Sequence, residues 1–166
     1  MRVFGGVTVD LDGLFRDHAT PLLRLGVVLT GDRALAEELV QEAFVRFSQS
    51  RSTPAPGAER TYLRRIVVNL SHAHHRHLRV VRGRRPDAPG TAAPAEQEAI
   101  RRDGERVVAE AVRALPDRQR DCVVLRYYLD LPVDEIAATL GLSRNSVKTH
   151  LTRGLRNLSA QLGELR

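Results

Sequence analysis

Apolar side chains recur at three- and four-residue steps through most of the chain, the spacing that lines one face of an α-helix. Leu11, Leu14 and Phe15, then Leu22, Leu25 and Leu29, form a first stripe, with Pro21 expected to kink or divide it. Gly31-Asp32 reads as a turn followed by an N-cap. Leu35, Leu39, Val40, Phe44 and Phe47 make a second stripe, and Pro54-Ala55-Pro56-Gly57 reads as a loop. A third helix is predicted from about Glu59 to Val81, burying Tyr62, Leu63, Ile66, Val67 and Leu70. Between about Arg82 and Pro94 the periodicity lapses, and Pro, Gly, Ala and Asp dominate, as in a linker. The pattern resumes at Val107, Val108, Ala111, Val112 and Leu115 and continues nearly to the end. No strand and no internal repeat is predicted. The expectation is an all-α protein of two small helical domains, 1–81 and 104–166, joined by a flexible linker over 82–103.

One stretch, Leu131 to Leu151, has a more specific pattern. Pro132 suits a first helical position, and Asp134 and Glu135 favour the first turn. Ile136 and Leu140 face inward, Ala137 permits close helix contact, and Gly141 suits the left-handed residue that ends a helix. Leu142 plugs the corner, Ser143 caps the next helix, and Val147, Leu151, Leu155, Leu158 and Leu162 continue a buried stripe. This is the spacing of a helix-turn-helix. Its outward face carries Arg144, Asn145, Lys148, Thr149, Thr152, Arg153 and Arg156, which suit phosphates and base edges of a major groove. An ordinary helical hairpin with a solvated basic face is the competing reading, and the placement of Gly141 and Ser143 weighs against it.

Composition narrows the class. At 166 residues, 42% hydrophobic and 28% charged, the chain has enough apolar surface to offset the entropy of folding. Its longest apolar runs, such as Val27-Val28-Leu29 and Ile66-Val67-Val68, are too short to span a bilayer, so no membrane insertion is expected. No secretory leader is apparent, and the single cysteine, Cys122, sits in an apolar stretch as a core residue would. A cytoplasmic protein is the expectation.

Charge points to the partner. Lys and Arg total 26 against 20 Asp and Glu, a net +6, and Lys148 is the only lysine. From Arg60 to Arg85 there are eight arginines and no acid, and Gly141 to Arg166 holds five basic residues against Glu164. Two basic patches imply an anionic partner, while Asp32, Glu37, Glu38 and Glu42 make a short acidic surface. With 4% aromatic residues and no Trp, a single-strand binder built on stacking is disfavoured.

His72, His74, His75 and His77 invite a metal reading, since helical i, i+3 pairs chelate. Arginines crowd them and no carboxylate or cysteine accompanies them, so DNA-facing or solvated histidines are preferred and no metal is expected. Without a carboxylate–histidine constellation or a Gly-rich phosphate loop, neither an enzyme nor a cofactor is expected.

The run Ala114-Leu115-Pro116-Asp117-Arg118-Gln119-Arg120, then Val123 to Tyr128, then the helix-turn-helix resembles region 4 of extracytoplasmic-function sigma factors, small members of the sigma-70 family. Leu29-Thr30-Gly31-Asp32, Ala36 to Phe44, and Tyr62 to Leu70 resemble region 2. The resemblance implies an RNA polymerase sigma factor that directs core polymerase to promoters. Glu38, Gln41 and Glu42 match its polymerase-facing positions. Tyr62, Arg65 and Asn69 match minus-10 positions, with Tyr62 standing where Trp is common, and Arg76 and Arg79 are expected on phosphates. Arg144, Asn145, Lys148, Thr149, Thr152 and Arg153 fall to the minus-35 element. The loop Ser52 to Ala58, where the family builds a pocket for a flipped base, departs from the usual pattern. Core polymerase, promoter DNA and an anti-sigma factor are the implied partners. A stand-alone helix-turn-helix regulator is the alternative.

Overall fold

The computed structural model of the chain describes residues 2–4, 7–50, 54–82 and 96–163, with side chains over 10–50, 54–76 and 104–163. Helix α1 (Leu11–Thr30) runs unbroken through Pro21, so the expected division there does not occur. Proline gives up one helical donor, and the packing of Leu22, Leu25 and Leu29, all buried, offsets that loss. Gly31 ends α1 at φ +76°, its N–H closing on the Val27 carbonyl at 2.7 Å. Asp32 then caps α2 (Arg33–Gln49) by accepting the Leu35 N–H at 3.1 Å. The two helices approach closely because Gly26 faces Ala36. A Cβ on Gly26 would stand 3.0 Å from the Ala36 methyl.

Helix α3 (Glu59–Arg82) matches the expected third helix within a residue. Helix α4 (Glu96–Ala114) begins inside the stretch read as linker. The remainder of that stretch, 83–95, lies outside the described residues. Helix α5 (Asp117–Val123) passes into a π-helical turn, Val124–Tyr128, followed by α6 (Val133–Leu140) and α7 (Arg144–Gly163). Pro132 stands just before α6 as its N-cap rather than at its first helical position.

The chain opens with a short antiparallel hairpin, contrary to the expectation of no strand. Strand β1 (Arg2–Phe4) pairs with β2 (Val7–Val9), Arg2 opposite Val9 and Phe4 opposite Val7. The β-branched Val3, Val7 and Val9 favour extended backbone. At three residues a strand is too short for period-2 alternation to stand out.

The two helical groups share one core. Leu25, Leu29, Phe47, Leu63 and Val67 from the first half are contiguous with Leu125, Ile136, Leu140 and Val147 from the second. Polar contacts bridge the same boundary. Arg64 Nη1 donates to Glu135 Oε2 at 3.2 Å, and Arg60 Nη2 lies 3.9 Å from the same oxygen. Helix α3 is therefore one element on which both halves meet.

Candidate nucleic-acid interface

The helix-turn-helix is built at its corner by three residues. Gly141 adopts φ +64°, which lets Leu142 N–H return to the Ala137 carbonyl at 3.0 Å. Ser143 Oγ then accepts the Ser146 N–H at 3.1 Å and starts α7. Buried Ile136, Leu140 and Val147 lock the two helices together. Helix α7 lies on α5 through Gly154, where a Cβ would stand 2.8 Å from Val123 Cγ2, and Asn157 Nδ2 donates to Gln119 Oε1 at 2.8 Å. Leu155 was expected in the buried stripe but is exposed. The residue buried on that face is Gly154, one position earlier.

This seating leaves Arg144, Asn145, Lys148, Thr149, Thr152, Arg153 and Arg156 all exposed. Two of them have committed their hydroxyls. Thr149 Oγ1 donates to the Asn145 carbonyl at 2.9 Å, and Thr152 Oγ1 to the Lys148 carbonyl at 3.0 Å. Their outward recognition surface is therefore chiefly a methyl group, the chemistry that suits a thymine 5-methyl. Arg144 is also partnered, its Nε lying 2.8 Å from Asp134 Oδ1.

On α3, Tyr62, Arg65, Asn69 and Arg76 fall at helical spacing on one face. Arg65, Asn69 and Arg76 are exposed. Tyr62 is half-buried, its ring edge-on to Phe47 with centroids 5.9 Å apart and its hydroxyl sharing a 3.3 Å hydrogen bond with Ser50 Oγ. It serves the packing of α2 against α3 as well as the face. Arg65 reaches the other half: its Nη2 lies 3.3 Å from where a Cβ on Gly141 would stand. The candidate minus-10 face and the helix-turn-helix corner are thus neighbours. The side chain of Arg79 and residues 52–53 of the loop expected to form the pocket lie outside the described residues.

Two of the four histidines, His72 and His75, are not simply DNA-facing or solvated, and the side chain of His77 lies outside the described residues. His72 is buried, with Nε2 2.7 Å from Asp121 Oδ2, and His75 Nε2 donates to the Leu29 carbonyl at 3.0 Å. Burial lowers the His75 pKa below its ordinary value, outweighing the opposing pull of that hydrogen bond. Among the described residues no group of three His, Cys, Asp or Glu side chains is placed to hold a metal. Arg120 and Asp121, buried in the middle of a charged run, were invisible to periodicity. Cys122 is buried as expected, and burial beside Asp121 pushes its thiol up to about 12.

Residues 14–80 match sigma-70 region 2, and residues 105–158 match sigma-70 region 4. The RNA polymerase sigma factor CarQ of Myxococcus xanthus is 30% identical over 169 residues, covering 99% of this chain and 95% of CarQ. The chain belongs to the extracytoplasmic-function group of the sigma-70 family. The ECF RNA polymerase sigma factor SigE of Mycolicibacterium smegmatis is 33% identical over 159 residues. That alignment takes 92% of this chain but only 62% of SigE, so the chain spans under two thirds of that relative. In fold, the chain is similar to the sigma factor RpoE of Bartonella quintana, solved in complex with the anti-sigma factor NepR. The TM-score is 0.69 at 18% identity, over 95% of this chain and 99% of RpoE.

Within the sigma region 2 match, the acidic edge of α2 is not uniform. Asp32 is committed to capping, Glu37 pairs with Arg33 at 3.0 Å, and Glu42 pairs with Arg46 at 2.7 Å. Glu38 and Gln41 are exposed, and among the described residues no cation lies within 4.0 Å of Glu38. Of the three candidate polymerase-facing residues, Glu38 is the unneutralised charge.

Proposed function

We propose that the protein is a sigma factor that directs core RNA polymerase to specific promoters. The observation that carries this reading is the exposed polar face of α7, set on a capped helix-turn-helix in a chain that also matches region 2. A stand-alone regulator would have no use for a region 2 half with an unneutralised acidic edge. In this reading the chain divides into region 2 over 1–81 and region 4 over 104–166. Arg144, Asn145, Lys148, Thr149, Thr152 and Arg153 take the minus-35 element. Tyr62, Arg65, Asn69 and Arg76 take the minus-10 element, and Glu38, Gln41 and Glu42 dock on polymerase.

The role is non-catalytic and is carried out where polymerase works, in the cytoplasm. No described helix is long and apolar enough to cross a membrane. An anti-sigma factor belongs to the same proposal, since RpoE carries this fold bound to one. Run-off transcription tests the reading. Core polymerase with the protein should start at discrete sites that core alone does not use. Sequence-specific operator binding without polymerase, and no initiation with it, would favour the stand-alone regulator.

A further inference from the structure

A cleft opens where α1, α3 and the end of the π-helical turn meet. Buried Leu22 and Leu25 and half-buried Leu129 form its apolar floor, and His18, Arg60 and Arg64 form its polar side. None of these residues belongs to the candidate DNA or polymerase faces. The cleft has a volume of about 30 Å³, more than the ~10–15 Å³ that a single water needs. Its charge is unbalanced. Arg64 Nη1 donates to Glu135 Oε2 at 3.2 Å, and Arg60 Nη2 lies 3.9 Å from that same oxygen. Two cations thus share one carboxylate, whose side chain is 41% exposed and screened by water. Among the described residues neither guanidinium pairs with another acid. Arg64 is the confined member, its side chain only 10% exposed. Burial holds its pKa below the ordinary value, and the charge of Arg60 adds to that effect against the pull of Glu135.

A second anion beside Arg60 and Arg64 would offset their mutual repulsion and compensate the confined charge. A guanidinium has several N–H donors, and Arg64 commits one of them to Glu135. The walls select among anions. Guanidinium N–H pairs match the oxygens of a carboxylate or of a phosphate. A phosphate carries oxygens on every side and gains nothing from a leucine floor. A carboxylate on an aliphatic stem turns its oxygens to the arginines and its carbons to Leu22, Leu25 and Leu129. We infer that this cleft binds a carboxylate on a short aliphatic stem, carried by a free acid or by an acidic side chain of a partner protein. Because α1 and α3 supply one side and Leu129 the other, the occupant touches both halves and favours the arrangement in which they meet. The inference does not depend on the promoter reading.

The test is an amide chemical-shift titration of the full chain at fixed ionic strength. The probes are acetate, butyrate, inorganic phosphate and the blocked tripeptide N-acetyl-Leu-Glu-Leu-amide. Butyrate should shift the amides around His18, Leu25, Arg64 and Leu129 along one saturating curve. It should bind more tightly than acetate, by up to about fourfold for each methylene buried. Phosphate should bind more weakly than butyrate. Arg60→Gln should weaken butyrate several-fold, and Arg64→Met should abolish saturation, with circular dichroism checking that helix content is kept. If Arg64→Met does not fold, the exposed Arg60 still decides. Glu135→Gln should tighten butyrate binding, because it removes the competing carboxylate. Tighter binding of the tripeptide than of butyrate assigns the site to a partner's side chain, and binding of butyrate alone assigns it to a free acid. No saturable shift with either carboxylate probe would overturn the proposal. So would phosphate binding as well as butyrate, or Glu135→Gln weakening it.

Discussion

His72 on α3 and Asp121 on α5 meet at 2.7 Å with neither side chain more than 8% exposed, so an imidazole–carboxylate contact joins the two halves in the interior. Arg120 Nη2 lies 4.0 Å from the other oxygen of Asp121 and 3.2 Å from Asp117. Removing one member of such a group strands the rest away from water. His72→Ala should therefore cost about 2–4 kcal/mol, read from urea denaturation. The double change His72→Leu with Asp121→Leu should cost less than the sum of the two single leucine changes. Strict additivity would mean that the pair is not coupled.

Stability should fall with acidity through His75. Its folded pKa lies below the ordinary value of 6.5, so the unfolded chain takes up a proton that the folded chain resists. Stability from this group is complete above the unfolded value and is lost as the pH falls through about 6.5 toward the folded value. Denaturation midpoints measured across that window should drop in the wild type, and His75→Gln should have a shallower slope.

Glu38 projects from α2 with no cation within 4.0 Å among the described residues, whereas Glu42 is held by Arg46. Charge reversal at Glu38 should weaken binding to core polymerase by about tenfold, an effect of the size that loss of one favourable charge contact gives. The melting temperature should stay nearly constant, because the side chain buries nothing. A large loss of helicity in Glu38→Lys would point instead to a structural role.

Thr149 offers a methyl group outward because its hydroxyl is bonded to the Asn145 carbonyl. Thr149→Val keeps the methyl and should retain base preference, while Thr149→Ser removes it and should relax preference at one position. Lys148→Ala, by contrast, should lower affinity on every sequence and reduce the salt slope by about one. Promoter-library binding at two salt concentrations reads both outcomes. If Thr149→Val fails and Thr149→Ser does not, the hydroxyl is the reader.

Local chemistry was legible where one residue type had one job. Gly31 and Gly141 take positive φ, and Asp32 and Ser143 cap helices, each at the position the sequence indicates. The exposed α7 face followed from periodicity alone. Tertiary partners were not legible in the same way. Nothing in the local pattern distinguishes His72 and His75 from solvated neighbours, because their burial depends on α5 and on the end of α1. Gly154 is silent in a hydrophobic pattern, yet it sets the approach of α7 to α5, and the leucine beside it turns outward. The unbroken α1 shows packing overriding the local penalty of Pro21.

The nearness of Arg65 to Gly141 has a consequence for competition. A group held on the same chain meets its neighbour at an effective concentration on the order of millimolar, whatever the protein concentration outside. On the proposed assignment, promoter DNA reaching for Arg65 must fit beside the helix-turn-helix corner, and dilution of the protein does nothing to move that corner away. A partner that draws α6 away from α3 lowers the local concentration instead. The approach to Arg65 then widens without a single added contact to the DNA.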